Sequence, residues 1–185
     1  MTISGTKELQ TDRLTLRRHV ESDADLLYLG LGRDPAFSAY SGWNPYASRE
    51  QARATVASFI GSYDDPRFYG WAIEREGRLI GTVGAYDYDP AANRIELGIS
   101  IEQPYWGRGY AAEALRRVLD YLTAEEGLSA VFAWCAADNE GSRRAMEKAG
   151  MGLLRREREG LHINGRTCDR LIYEYPPPRN AAESG

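Results

Sequence analysis

Cysteine and histidine are scarce in this 185-residue chain: Cys135 and Cys168 show no CxxC spacing, and His19 and His162 are the only histidines. Structural zinc needs about four such ligands at short spacings, so no metal centre is expected. Long apolar runs are missing too. The longest stretch free of charged side chains, Pro35 to Ser48, is polar and aromatic, and Met1 to Leu9 holds no apolar segment of a secretion signal. Positive charge is not in excess, because 23 Lys and Arg stand against 27 Asp and Glu, giving a net charge of -4. That balance argues against a domain held on nucleic acid by net positive charge. There are no internal repeats, no low-complexity tract and no linker. Together these absences describe a soluble, reduced, cytoplasmic protein with neither membrane nor nucleic-acid partners.

What is present suits an ordinary globular unit, with 43% hydrophobic and 27% charged residues. At this length about 70% of the extended chain's surface can be buried. We expect a single domain over residues 1–178 and a disordered tail over 179–185.

Hydrophobic period sets the elements. Thr11 to Val20 alternates Leu14 and Leu16 with Thr15 and Arg17, as a strand does, and Ser22 or Asp23 can then cap a short helix carrying Leu26, Leu27 and Leu29. Gly32 to Pro45 mixes glycine, proline and serine with Phe37, Tyr40 and Trp43, which predicts an aromatic loop. Ser48 and Gln51 form a capping box ahead of a helix with Ala52, Val56, Phe59 and Ile60 on one face. Tyr69 to Glu76 and Arg78 to Tyr88 read as a hairpin about Glu76-Gly77, and Arg94 to Ile101 as a third strand. Gly107 to Leu122 carries Ala111, Leu115, Val118, Leu119 and Leu122 at helical spacing. Ala130 to Ala136 is apolar on both alternating sets, a strand covered on both faces. Asn139 caps a helix ending at Ala149-Gly150, and Met151 to Glu157 and Arg166 to Tyr175 are last strands about an Asn164-Gly165 turn. The expected class is α/β (α+β): a mixed, mostly antiparallel sheet of about seven strands flanked by about four helices.

The segment with the strongest chemical character runs from the strand Ile95 to Ile101, through a bend at Pro104, Tyr105 and Trp106, to Gly107-Arg108-Gly109-Tyr110-Ala111 at the head of the long helix. Glycines allow successive amides to converge on one point, and a helix N-terminus adds about half a positive charge, so the segment can cradle a phosphate without a lysine. A tight steric turn explains the same glycines. Of the Gly-x-Gly pairs Gly30/Gly32, Gly107/Gly109 and Gly150/Gly152, only the middle one follows a clear strand and opens a strong amphipathic helix.

Tyr105-Trp106-Gly107-Arg108-Gly109-Tyr110-Ala111-Ala112-Glu113-Ala114, then Asn139-Glu140-Gly141-Ser142-Arg143-Arg144 and Glu147-Lys148-Ala149-Gly150-Met151, resemble three ordered blocks of the Gcn5-related N-acetyltransferases (GNAT), within their RimJ/RimL-like ribosomal-protein branch. The likeness runs from Thr11-Asp12-Arg13-Leu14 to Asp169-Arg170-Leu171-Ile172-Tyr173. The family's Gln/Arg-x-x-Gly-x-Gly/Ala falls on Trp106, Gly109 and Ala111, where Trp106 departs from the pattern and leaves the binding to the backbone. The resemblance implies transfer of an acetyl group from acetyl-CoA to a primary amine, on a protein N-terminus, an amino acid or another small amine. It places the diphosphate on the amides of Gly107, Arg108, Gly109, Tyr110, Ala111 and Ala112, after Trp106. The pantetheine arm would lie between Ile99, Ser100 and Ile101 and the strand Ala130 to Ala136, with Asn139 bonding the arm and Ser142 facing the sulfur. A family-like homodimer is a further expectation.

Chemistry sets the same demands. At pH 7 a lysine amine is only about 0.04% neutral and an α-amine about 10–17%, so a proton relay helps attack. Glu96, on the strand before the cradle, can be that relay or an ordinary solvated carboxylate. A backbone N–H between Gly98 and Ser100 can meet the developing oxyanion. Cys135 reads as a buried structural cysteine before a nucleophile, and His19 and His162 as surface or hydrogen-bonded histidines. Asp64 and Asp65 read as solvated loop residues or as attractors of a cationic acceptor, and Glu113 as a partner of the helix dipole. Phe37, Tyr40, Trp43 and Tyr46 form a covered loop, or else an acceptor wall joined by Tyr69 and Trp71. Arg155, Arg156 and Arg158 read as a solvated face or as contacts for an anionic substrate. An aminoglycoside or polyamine acetyltransferase is the alternative within the same chemistry, and two other classes use the same residues: an acyl-CoA-binding module without catalysis, and a dinucleotide-binding unit on Gly107-x-Gly109-x-x-Ala112. The second fits poorly, because the strand does not run straight into its first glycine.

Overall fold

A computed structural model describes residues 3–41 and 44–176. The alternating segments become strands β1 Leu9–Gln10, β2 Thr15–Arg17, β3 Tyr69–Arg75, β4 Arg78–Asp89, β5 Arg94–Ile101, β6 Ala130–Ala136, β7 Gly152–Ile163 and β8 Arg166–Tyr175. They form one sheet in the order β1-β2-β3-β4-β5-β6-β8-β7. Only β5 and β6 run parallel; every other neighbouring pair is antiparallel. The helices are α1 Asp23–Leu27, α2 Pro35–Ser41, α3 Arg49–Ser62, α4 Tyr110–Asp120 and α5 Glu140–Lys148, with α1 and α4 each running on into one wide π turn.

Eight strands and five helices among the described residues stand close to the seven and four expected, and the additions have local causes. The added strand, β1, lies in the polar leader before the expected strand, of which Thr15–Arg17 is extended as β2; between them the Thr11 Oγ1 accepts from the amides of Arg13 and Leu14 and turns the chain, so that Leu9 pairs with Leu16. The extra helix, α2, lies in the segment read as a loop. Pro35 presets its first turn, and the Asp34 carboxylate accepts from the Ala36 amide at 2.9 Å. Both hairpin turns match their sequences, with Glu76-Gly77 and Asn164-Gly165 all at positive φ. Ser48 caps α3 by accepting from the Gln51 amide, as the capping box predicts. Trp43 and the proline-rich end from 177 onward lie outside the described residues.

Helices cover both faces of the sheet. α4 and α5 press Ala114, Leu115, Val118, Leu119 and Met146 onto Ile95, Leu97 and Val131. On the other face, Leu27, Leu31, Tyr46 and Val56 pack on Ala72 and Leu79. Each fully buried aliphatic side chain contributes about 1.5–3 kcal/mol of transfer free energy, which is what holds α4 at a fixed height over β5.

One buried carboxylate ties the α4 layer to the start of the chain. Glu126, 5% exposed, accepts from the amides of Ser4 and Gly5 and from the hydroxyls of Tyr69 and Tyr121. Glu126→Leu is expected to strand these donors and lower stability by roughly 2–4 kcal/mol in urea unfolding; an unchanged midpoint would show that other acceptors replace the carboxylate.

Candidate functional site

The parallel pair β5 and β6 is joined for only three registers, Arg94 with Ala130, Ile95 with Val131, and Glu96 with Phe132. Beyond Glu96 the strands diverge. β5 stays on β4 as far as Ile101, and β6 stays on β8 as far as Ala136. The two facing edges therefore expose alternate backbone N–H and C=O groups to a wedge-shaped gap. Ile99, Ser100 and Ile101 border it on one side.

At the wide end of the gap the chain leaves β5 through a 3-10 turn, Gln103–Tyr105. Trp106 folds back, its Nε1 donating to the Ile101 carbonyl at 2.7 Å, while its ring remains 49% exposed. Gly107 and Gly109 then take φ of +73° and +84°, which a side chain resists. A Cβ on Gly107 would meet nothing within 4 Å. No amide from Gly107 to Ala112 donates to a protein acceptor among the described residues; the amides of Trp106 and Glu113 on either side are bonded. The other two Gly-x-Gly pairs have different causes. A Cβ on Gly30 would strike the Glu102 carboxylate at 2.0 Å, one on Gly32 the Tyr46 carbonyl at 2.0 Å, and Gly150 follows α5 at φ +97°.

Charge at the cradle is largely internal. Arg13 pairs with Glu113 at 2.6 Å, donates to the Arg108 carbonyl at 3.1 Å and lies 4.5 Å over the Tyr110 ring. Burial opposes the Glu113 charge, but bonds from Thr11 and Arg13 hold its pKa below the usual carboxylate range. The residue thus fixes the β1–β2 turn to α4 in addition to meeting the helix dipole.

The two candidate catalytic residues stand on opposite sides of β6. Ser142 lies one turn into α5 on the core side, beside Cys135. Asn139 caps that helix, its Oδ1 accepting from the Ser142 amide at 3.1 Å. Burial pushes the Cys135 thiol up to about 11, against the pull of the Ser142 hydroxyl, so it is a structural cysteine rather than a nucleophile. Glu96 lies on the other side, where it is neither solvated nor alone: Trp134 Nε1 donates to its Oε1 at 2.7 Å and the Tyr86 hydroxyl bonds it as well. Burial and the Glu96 charge raise the Tyr86 pKa, so the phenol keeps its proton and donates.

Tyr86 and Trp134 are the side chains that sequence reasoning missed. Their signal is the cross-strand register, which places Tyr86 opposite Glu96 and Trp134 two residues beyond its other neighbour. Tyr69 and Trp71, offered as an acceptor wall, belong instead to the core: both are buried on the α4 side, bonded to Glu126 and to the Lys7 carbonyl. The aromatic segment divides, since Tyr46 is buried with Phe37 against it, whereas Tyr40 packs beside Trp134, Cys168 and Ile163. His19 is buried, with Nε2 3.2 Å from the Thr82 hydroxyl and Nδ1 3.4 Å from Asp23. His162 is exposed and bonds Thr167. Asp65 accepts from the Arg67 amide in an exposed turn. Arg155 and Arg156 pair with Glu157 and Asp169 on the open face of the hairpin. No group of three or more His, Cys, Asp and Glu side chains among the described residues could hold a metal, and no described helix is long and apolar enough to cross a membrane.

Comparison with known proteins agrees with this architecture. Residues 13–152 match the acetyltransferase (GNAT) domain family. The chain is 33% identical over 176 residues to the uncharacterized N-acetyltransferase YoaA of Bacillus subtilis, covering 92% of this chain and 97% of that one. Among solved structures, RimL, a ribosomal L7/L12 α-N-protein acetyltransferase in complex with coenzyme A, superposes with a TM-score of 0.82 at 18% identity, over 91% of this chain and 97% of its own. The ribosomal-protein-S5-alanine acetyltransferase of Vibrio fischeri gives 0.81 at 16% identity, over 91% and 96%. With the family model spanning most of its length, this chain belongs to the GNAT family of acetyltransferases.

Proposed function

We propose that the protein acetylates a primary amine with acetyl-CoA, the diphosphate resting on the amides of Gly107 to Ala112 and the pantetheine arm lying in the gap between β5 and β6. The observation that carries this reading is the run of unbonded amides at the head of α4, set at the mouth of a gap with free strand edges. These residues fit the group: positive φ at Gly107 and Gly109 turns the amides outward, and open space at Gly107 leaves room for an anion. When bound, acetyl-CoA supplies a thioester whose acyl carbon the amine attacks, releasing the thiol.

The chain's own groups then divide the work. Trp106, anchored to Ile101, holds the cradle against the end of β5. Backbone N–H groups between Gly98 and Ser100, where β5 has no β6 partner, can stabilise charge gathering on the acyl oxygen. Asn139 commits Oδ1 to its cap and keeps Nδ2 for the cofactor arm. Ser142 can give its proton to the leaving sulfur, and Glu96 can take one from the incoming ammonium. The acceptor is a protein N-terminus, an amino acid or another small amine.

Three outcomes test this. Gly109→Val should weaken coenzyme A binding by about tenfold or more in isothermal titration, with a melting curve run beside it because a side chain at φ +84° is strained; unaltered affinity removes the cradle from the mechanism. Ser142→Ala should lower kcat by about a hundredfold while the acetyl-CoA Kd shifts by less than about threefold; equal turnover makes the serine a helix-cap neighbour only. With its thiol pKa raised to about 11, Cys135 should be about 0.1% ionised at pH 8. Its alkylation by iodoacetamide, followed by peptide mass spectrometry, should therefore be slow and climb about tenfold per pH unit towards that value.

A further inference from the structure

His19 is a buried titratable side chain at the inner end of a polar row on the sheet face that carries Glu96. Its imidazole has no exposure. Several elements enclose it. Asp23 of α1 lies 3.4 Å from Nδ1, which meets no other partner among the described residues. The Phe59 ring of α3 lies 5.1 Å away, and the Tyr63 hydroxyl accepts from the His19 amide. Arg17 of β2 reaches Asp23 with both terminal nitrogens and Glu74 of β3 with Nε. Burial opposes the charge on Asp23, but bonds from His19, Arg17 and the Val20 amide hold its pKa well below the usual carboxylate range. A fixed negative charge therefore faces Nδ1.

On the other side of the ring, Thr82 is the pivot. Its hydroxyl has one proton and two acceptors at the same distance, 3.2 Å to His19 Nε2 and 3.2 Å to the Trp71 carbonyl. Turned to His19, it matches a neutral ring whose proton sits on Nδ1 against Asp23; turned to Trp71, it matches a ring protonated on both nitrogens. Either setting satisfies every donor. The Tyr46 hydroxyl bonds Thr82 as well, and burial pushes that phenol up to about 12, so it donates in both settings. Thr82, Gly84 and Tyr86 alternate along β4, and Tyr86 pairs with Glu96, so Thr82 shares the Glu96 face. Thr82 itself pairs with Ser100, with Cβ atoms about 4.5–5.5 Å apart in such a pair. Ser100 borders the gap, so a row of hydroxyls runs from the gap to the buried ring.

Acetyl transfer has a use for such a row. A nitrogen that arrives as an ammonium sheds two protons, one before it attacks and one as it becomes an amide, while the leaving sulfur takes up one. Glu96 can take the first. We propose that the second passes through Ser100 and Thr82 to His19 Nε2, where Asp23 holds the resulting imidazolium. Only hydrogens move: Ser100 gives its proton to Thr82 and receives that of the nitrogen, while Thr82 gives its own to Nε2 and turns to Trp71. Once the product leaves, one of the two stored protons restores Ser142 and the other goes to water. The inference rests on the acetyl-transfer reading and deepens it. Thr82 and His19 act on the nitrogen through Ser100 and touch no substrate.

The test uses the full chain, with diaminobutane, glycinamide and a peptide bearing a free α-amine as acceptors. His19→Gln keeps a hydrogen bond to Thr82 but cannot take up a proton, Thr82→Val keeps the shape without the hydroxyl, and Thr82→Ser restores it. His19→Gln and Thr82→Val should each lower kcat with diaminobutane by about tenfold or more, with the acetyl-CoA Kd and the amine KM within about threefold. The double variant should be no slower than the poorer single one, because the two residues act as a unit. Thr82→Ser should stay within about threefold of wild type. The losses should be smaller with glycinamide, since an α-amine near about 7.7–8.0 sheds a proton more readily than a lysine-like amine near about 10.4. An unaltered kcat in a folded Thr82→Val protein, or additive losses in the double variant, overturns the relay and leaves acetyl transfer standing. A wild type that consumes no acetyl-CoA with any of the three amines overturns the acetyl-transfer reading and the relay with it. Should a variant fail to fold, the ring nitrogens of wild type decide by NMR, with His162, exposed and assigned through His162→Gln, as the second signal. The expected ring carries its proton on Nδ1 and leaves Nε2 bare; a bare Nδ1, or a ring already holding both protons at the assay pH, overturns the relay.

Discussion

The whole site depends on where one strand pairing stops. β5 and β6 are parallel and adjacent, yet they share bonds only through Glu96 and Phe132. Each is held on its far side by a long antiparallel partner, β4 or β8, so neither collapses when the pairing ends. A sheet normally saturates its interior hydrogen bonds, and unsaturated backbone in its middle is costly unless a ligand or water meets it. Here the divergence, the free edges and the unbonded amides at the head of α4 lie in sequence along one path. The α4 core residues hold that path open, because Leu115, Val118 and Leu119 fix the helix on β5 independently of what lies in the gap.

In the proposed reading, the cradle would attract an anion through dipoles more than through net charge. Arg13 reaches the cradle, but Glu113 and the Arg108 carbonyl already engage it. On that reading, a chain with a net charge of -4 needs no basic patch to receive a polyanion there. On the opposite face, the Glu96 carboxylate lies between two aromatic donors, Trp134 and Tyr86. The two substrates of the proposed transfer carry opposite charges, and in that reading the groups that would meet them stand apart on the sheet.

Much of the fold was legible because period and punctuation agree. β5, β6 and β8 match their sequence limits, the type of both tight hairpin turns follows from Glu-Gly and Asn-Gly, and the Ser48 cap follows from its spacing. α2 escaped because Gly, Pro and Ser in that segment mask a proline-initiated turn capped by Asp34. The left-handed glycines at the head of α4 were legible as a chain-local pattern. Glu96 could be named, but its partners could not, since Tyr86 and Trp134 reach it through register across two interfaces, one of them bulged between Tyr86 and Asp89. Tyr69 and Trp71 misled for a related reason: on strands buried on both faces, sequence does not say which layer an aromatic enters.

Both outer margins of the sheet are blunted. β1 has only two residues, and β7 is broken by irregularities after Leu153 and Glu157 and bristles with paired arginines and glutamates. Neither margin offers a flat ladder on which a foreign strand could grow. A protein with a deliberate opening at its centre thus protects its periphery, and fibrillar stacking of copies is disfavoured even though backbone groups in the interior remain available to a visitor.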